Sequence, residues 1–351
     1  MLILLGCLGL LLFFSLVFYC GNQIYKRDSV FLILSFFILW FVHVFKDGNS
    51  FPDLPQYLSD FWKMPTLNWD YLINRGFWYN HKEPAYNFLV KCISVFSDSS
   101  LIFFAITSSI ILLGYYLSIK RYSLIPWLSV LIFFLNNYGM SLLVLRQFMA
   151  MSICYISIKY VLERKIWSFV LLCVLAFLFH QTAIVFFPIY FLYGIKSQKR
   201  LFICLSLLGI VAFIYVRILF MFSTGFLKGY DVYLAHGVEG TNYTGFFILL
   251  CVFIYRIYVL KSLLYNSPLD RFFSLILSIG LIISFVGVGY NPTSRLNMYY
   301  SDMVYLIIPN TLSKDSNINS KYIVGFLYCG LIFYRFVSGD LLERYHLCFI
   351  P

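Results

Sequence analysis

The chain has 351 residues, 61% of them apolar, and carries only 26 basic and 15 acidic residues. Soluble domains carry about 25% charged residues, against 12% here, so there are too few charges to cover this much apolar surface in water. Disorder, collagen and coiled coil are excluded as well, because each needs a polar or strictly periodic sequence. The fold class this composition predicts is all-α, a polytopic transmembrane helical bundle. The net charge of +11 sits in small groups between apolar runs. That is the pattern of topology signals, not of a phosphate-tracking stripe, so no nucleic-acid partner is expected.

Taken in chain order, residues 2–20 read as a first span. They lack a basic leading region, and no small-residue cleavage site follows, so a removable leader is not expected. A helix needs about 20 apolar residues to cross a bilayer, and further candidate spans are 29–45, 100–119, 123–138, 140–162, 201–221, 244–263, 272–290, 297–312 and 322–338. A 30-residue apolar run, 166–195, is interrupted near His180 and Pro188. Short loops rich in Lys and Arg stay in the cytoplasm. Lys26-Arg27, Lys120-Arg121, Arg164-Lys165, Lys196 with Lys199 and Arg200, Lys261 with Arg271, and Lys314 with Lys321 fall on one side only if 166–195 goes out and returns. The same rule keeps 83–97 outside as an interfacial or re-entrant helix. The result is about 12 crossings with both termini outside. It makes residues 1–351 a single polytopic membrane domain whose outer segments are 46–99 and 222–243. The nine Cys lie mostly within apolar runs and form no CxxC, so neither a disulfide framework nor a metal site is expected.

Charges inside spans cost roughly 2.5–3.5 kcal/mol for a central Arg and mark functional candidates. Arg146 is placed about two turns into 140–162, Arg217 near the outer end of 201–221, and Arg295 before 297–312. His180 falls at the outer turn of the hairpin. Guanidinium forks at one depth suit bidentate contacts to phosphate or pyrophosphate oxygens. Among the carboxylates of the long outer segment, Glu83 and Asp53 are the candidates for a general base. Helix start for Glu83 and turn residue for Asp53 are the competing structural uses. Asp60 reads as a solvated loop charge. Trp62, Trp69, Trp78, Tyr57, Tyr71 and Tyr79 fit an interfacial belt or sugar stacking. No Walker A loop, HExxH, GxSxG or DxD motif is present, so no ATPase or metal-chelating sugar-nucleotide site is visible.

Five marks then recur in a telling order. They are Phe45-Lys46-Asp47-Gly48 leading to Asp53 and Tyr57; Glu83-Pro84-Ala85-Tyr86; Leu145-Arg146-Gln147-Phe148-Met149-Ala150; Phe179-His180-Gln181-Thr182-Ala183 leading to Pro188; and Arg295-Leu296-Asn297-Met298-Tyr299-Tyr300. This order resembles the EpsG-like family of bacterial membrane proteins, including many O-antigen polymerases of the Wzy type. Lys46 departs from the pattern, since such proteins often carry Arg there. The resemblance implies a GT-C-like glycosyltransferase architecture in the bacterial inner membrane, with its active site facing the periplasm. It implies a metal-independent polymerase without cofactors. That enzyme transfers a growing glycan from undecaprenyl pyrophosphate to a lipid-linked oligosaccharide repeat unit, as for O-antigen or a similar surface polysaccharide. Expected partners are the undecaprenyl-pyrophosphate-linked oligosaccharide, membrane lipids and a chain-length regulator protein. Arg146 and Arg295 are assigned to pyrophosphate, with Arg217 auxiliary. His180 orients or protonates leaving-group oxygens, and Glu83 or Asp53 is the base. The rival classes are a transporter or flippase for a lipid-linked or anionic polysaccharide, and a membrane acyltransferase acting on a surface glycan.

Overall fold

A computed structural model describes residues 2–20, 27–80, 82–195, 197–224, 243–260, 267–289, 293–339 and 345. Among them the secondary structure is helical, with one isolated bridge between Tyr79 and Lys82. Among the described residues, seven helices are long and apolar enough to cross a membrane. They are α1 (Leu2–Tyr19), α2 (Arg27–Val44), α6 (Ser100–Tyr122), α7 (Pro126–Leu143), α12 (Tyr243–Leu260), α13 (Pro268–Gly289, apolar through Val288) and α16 (Ile318–Val337). Between α2 and α6 lie three shorter helices, α3 (Leu54–Lys63), α4 (Trp69–Asn74) and α5 (Pro84–Phe96). The remainder are α8 (Leu145–Leu162), α9 (Ile166–Phe179), α10 (Ile189–Gly194), α11 (Gln198–Thr224), α14 (Thr293–Ser301) and α15 (Val304–Lys314). Among the described residues the candidate spans fall mostly on helix, with breaks at Val144 inside 140–162 and at Asp302–Met303 inside 297–312. The apolar run 166–195 breaks at His180 and again at Pro188, with a 3-10 turn Gln181–Phe186 between.

Residues gather into two compact units, Met1–Ile156 with Leu178–His180 and Asn317–Pro351, and Ser157–Phe177 with Gln181–Ser316. In the first, α1 buries Leu4, Cys7, Leu8 and Leu11, and α2 buries Phe31, Leu32, Phe36 and Leu39; the two helices pack together. Between α6 and α8 the backbones come close. The Gly114 amide donates to Ser152 Oγ at 3.0 Å, and Ser152 Oγ donates to Ile110 O at 2.6 Å. A Cβ at position 114 would strike Ser152, the reason a small residue stands at this crossing.

The segment between α2 and α6 is tied together by buried polar side chains. In α3, Leu54, Tyr57, Leu58 and Phe61 are buried at helical spacing, so the helix presents one apolar face. Asp60 shares that face. It is 1% exposed and forms an ion pair with Lys82, itself 5% exposed. Gln56 Nε2 and Asn80 Nδ2 also donate to its carboxylate, at 3.1 and 2.7 Å. The expectation of a solvated Asp60 is thus corrected: α3 turns it inward towards a lysine that loop composition gave no means of pairing. Lys91 closes the turn after α3, donating to Met64 O and Leu67 O at 2.9 and 2.7 Å.

In the second unit, Arg256 of α12 is 2% exposed and donates to Ser274 Oγ, Thr311 Oγ1 and Asp270. Asp270 also pairs with Lys314. Arg256 therefore ties α12, α13 and α15. Deleting one member of a buried ion pair strands the other, at about 3 kcal/mol or more. Asp60→Ala is expected to lower the thermal midpoint in detergent strongly, and the Asp60→Asn/Lys82→Met double variant to recover most of it. A double variant no better than the single contradicts this.

Candidate functional site

Three of the residues marked in the sequence meet in the first unit. Glu83 immediately precedes α5, with Pro84 at the first helical position, where a fixed φ and a missing N–H cost nothing. Its backbone carbonyl accepts from Asn87 N at 3.0 Å, but its side chain makes no cap bond. The carboxylate is turned inward instead, 4% exposed. One oxygen accepts from Arg146 Nη1, and the other lies 2.8 Å from His180 Nδ1. The helix-start and site readings of Glu83 both hold, because different atoms serve them.

Arg146 does not sit two turns inside its helix. The preceding helix, α7, continues past the expected boundary to Leu143, helped by a widened π turn at Phe134–Tyr138. The chain breaks at Val144 (φ −95°, ψ 63°), and α8 starts at Leu145. Arg146 is the second residue of α8. A cation in a first helical turn opposes the positive end of the helix dipole, so its position there depends on the Glu83 carboxylate. The guanidinium carbon also lies 6.0 Å from the Tyr57 ring centroid and 5.9 Å from that of Tyr86. The two rings pack edge-on at 5.9 Å. Tyr57 is 5% exposed and Tyr86 fully buried, so Tyr57 belongs to this cage and not to an interfacial belt. Trp62, Trp69, Tyr71 and Trp78 are exposed as a belt requires. Arg146 Nε and the Tyr86 hydroxyl are buried with no hydrogen-bond partner among the described residues.

The loop that delivers Glu83 is conformationally costly. Gly76, Phe77 and Asn80 all have positive φ, at 55°, 60° and 49°, and for the latter two this costs of order 1–2 kcal/mol each. Asn87, fully buried one turn into α5, holds the loop down. Its Nδ2 faces Phe77 O, Tyr79 O and Lys82 O at 2.8, 3.2 and 2.8 Å. Neither Asn87 nor the Asp60–Lys82 pair was legible as support, since no local spacing links them to Glu83.

The other candidates lie elsewhere. Asp53 begins α3 with an exposed side chain and no cap bond. Arg295 is in the first turn of α14, in the second unit, partly exposed. That helix is held to the turn after His180 by Thr182 Oγ1 with the Tyr299 hydroxyl at 3.0 Å, and by the Tyr300 hydroxyl donating to Val185 O at 2.5 Å. Arg217 falls within α11, but its side chain is outside the described residues, as is most of the segment 222–243. Among the described residues no group of three or more His, Cys, Asp or Glu stands together as a metal site would.

The electrostatics of the triad follow from its burial. Burial alone would push the Glu83 carboxyl up; the His180 hydrogen bond and the charges of His180 and Arg146 outweigh it and hold the group at about 2. Such a carboxylate is a strong orienting partner and a weak base. A carboxylate accepts only, so His180 Nδ1 carries the proton in this bond. The imidazole's basic nitrogen is then Nε2.

The family model described as the EpsG family matches residues 29–349, and the chain belongs to that family. No curated protein and no solved structure matches it.

The depressed Glu83 value has a sign that can be checked. Its folded value, about 2, lies below the ordinary 4.5, so the stabilisation is complete above the ordinary value and lost as pH falls towards the folded one. About 2 kcal/mol should disappear between about pH 6 and about pH 3. Thermal midpoints in detergent are expected to fall less steeply over this range in Glu83→Gln than in wild type. Equal slopes contradict the assignment.

Proposed function

We propose that this EpsG-family chain is a membrane polysaccharide polymerase. It transfers a growing glycan from undecaprenyl pyrophosphate to a sugar hydroxyl of a lipid-linked repeat unit, at the periplasmic face of the bacterial inner membrane. The observation that carries this reading is the buried Glu83–Arg146–His180 group, built from the very motifs that carry the family resemblance. The roughly 12-crossing topology, a GT-C-like arrangement of the helices and a chain-length regulator as partner belong to the same proposal.

In the transfer, the acceptor hydroxyl forms a bond to the anomeric carbon while the bond from that carbon to the phosphate oxygen breaks. The acceptor proton passes to His180 Nε2, and the bonding electrons leave with undecaprenyl pyrophosphate. Glu83 fixes the imidazole through Nδ1 and stabilises the imidazolium that forms, the division of labour seen in carboxylate–histidine pairs generally. This moves the base from Glu83, suppressed by its own partners, to His180. Asp53 lies exposed at the start of α3. Leaving-group charge needs preorganised cations, commonly the largest catalytic contribution. Arg146 engages Glu83 through Nη1, which leaves Nε with a hydrogen bond still to give. Arg295 and Arg217 are assigned to the pyrophosphate by the family resemblance alone.

In a strain lacking the chain, polysaccharide is expected as single repeat units, with lipid-linked units accumulating on the outer face; accumulation on the inner face indicates a flippase instead. Complementation with wild type should restore the ladder, and His180→Ala or Arg146→Ala, present in the membrane at normal levels, should not. A wild-type ladder from both variants overturns the proposal.

A further inference from the structure

Beneath the break that places Arg146 lies a polar cluster that the proposed chemistry does not use. His43 and Lys46, at the end of α2, are 0% and 1% exposed. The Lys46 ammonium donates to Leu142 O at 3.1 Å, faces His43 Nδ1 at 3.2 Å and sits 4.7 Å from the Phe104 ring centroid. His43 Nε2 lies 3.1 Å from Ser141 O. A carbonyl only accepts, so Nε2 carries the proton and Nδ1 accepts, from Lys46 and from Ser108 Oγ at 2.7 Å. One turn earlier, the Tyr138 hydroxyl donates to Leu39 O at 2.6 Å.

The carbonyls at the end of a helix lack partners within it. Here Ser141 and Leu142 belong to the final turn of α7, whose continuation is cut at Val144. Away from water such groups require donors from elsewhere. His43 in the last turn of α2 and Lys46 just beyond its end reach successive carbonyls of α7. No carboxylate pairs with Lys46 among the described residues. The ends of α2 and α7 meet at this point, and the negative ends of two helix dipoles together with an aromatic face suit a buried cation.

We propose that His43 and Lys46 are positioning residues for Arg146. They cap α7 where it breaks, and so set the point and direction at which α8 begins, three residues beyond the carbonyl that Lys46 holds. Lys46 thereby acts on helix carbonyls and not on a substrate anion. The consequence for polymerisation rests on the function proposed above; the consequence for the helix break does not.

The test uses full-length protein in nanodiscs and complemented null cells. Losing a donor to a buried carbonyl should raise amide hydrogen exchange across residues 140–148 about tenfold or more. Lys46→Met and His43→Leu are expected to do so, with exchange across residues 54–63 unchanged, and to shorten the polymer to one or a few units. His43→Gln places its amide nitrogen where Nε2 stood, and should restore slow exchange and long polymer; a merely space-filling His43 predicts no such rescue. Unchanged exchange in both apolar variants, or raised exchange with a normal ladder, overturns the proposal. If deleting the whole chain leaves the polysaccharide unaltered, the polymerase reading fails, while the exchange comparison still decides whether the cap holds.

Discussion

A carboxylate held almost out of contact with water must be compensated, and for Glu83 the opposite charge comes from Arg146 and a hydrogen bond from His180. Removing either partner of a buried pair leaves a charge that costs several kcal/mol. The surrounding structure is arranged around that requirement. Pro84 starts α5 so that Glu83 leaves the helix at its cap. Asn87 and the Asp60–Lys82 pair clamp the loop on the other side. The break at Val144 brings Arg146 to the first turn of α8, a place unfavourable for a cation unless an anion faces it.

Helix ends are the second recurring constraint. Most contacts in this chain are apolar, and in a lipid-facing protein apolar contacts alone discriminate weakly between helix arrangements. Specific placement comes from polar side chains that satisfy backbone groups where helices stop. Lys91 serves the turn after α3, His43 and Lys46 the end of α7, and Asn317 caps α16 by accepting from Asn319 N and Ser320 N. In the second unit Arg256 does similar work between three helices. Basic residues that a topology count treats as interchangeable thus divide into exposed charges and buried donors to carbonyls.

Much of this was legible in the sequence, for identifiable reasons. Apolar runs of span length located every long helix, and Pro84 and Pro188 marked breaks because a proline cannot continue a hydrogen-bond ladder. Arg146 and His180 were legible as misplaced charges, because ionisable groups in apolar runs are costly wherever they sit, and Glu83 as a candidate base in the outer segment. Their mutual contact was not, since 63 and 97 residues separate Glu83 from its two partners. The boundary between α7 and α8 was misread at Gly139, because the π turn carries the helix on to Leu143. Asp60 and Tyr57 were taken as surface groups because loops usually are exposed. The helical face of α3 that buries them becomes decisive only with the neighbours in place.

A single comparison separates the structural use of the triad from its chemical use. Glu83→Gln with Arg146→Met removes both buried charges together, so the fold should survive where either single change strands its partner. Purified double variant and wild type would be given the same undecaprenyl-pyrophosphate-linked repeat units and the products separated by length. The account predicts a double variant that melts near the wild-type temperature yet yields no product beyond one repeat unit. A double variant that builds the wild-type ladder would show that these buried charges hold the protein together and take no part in the transfer.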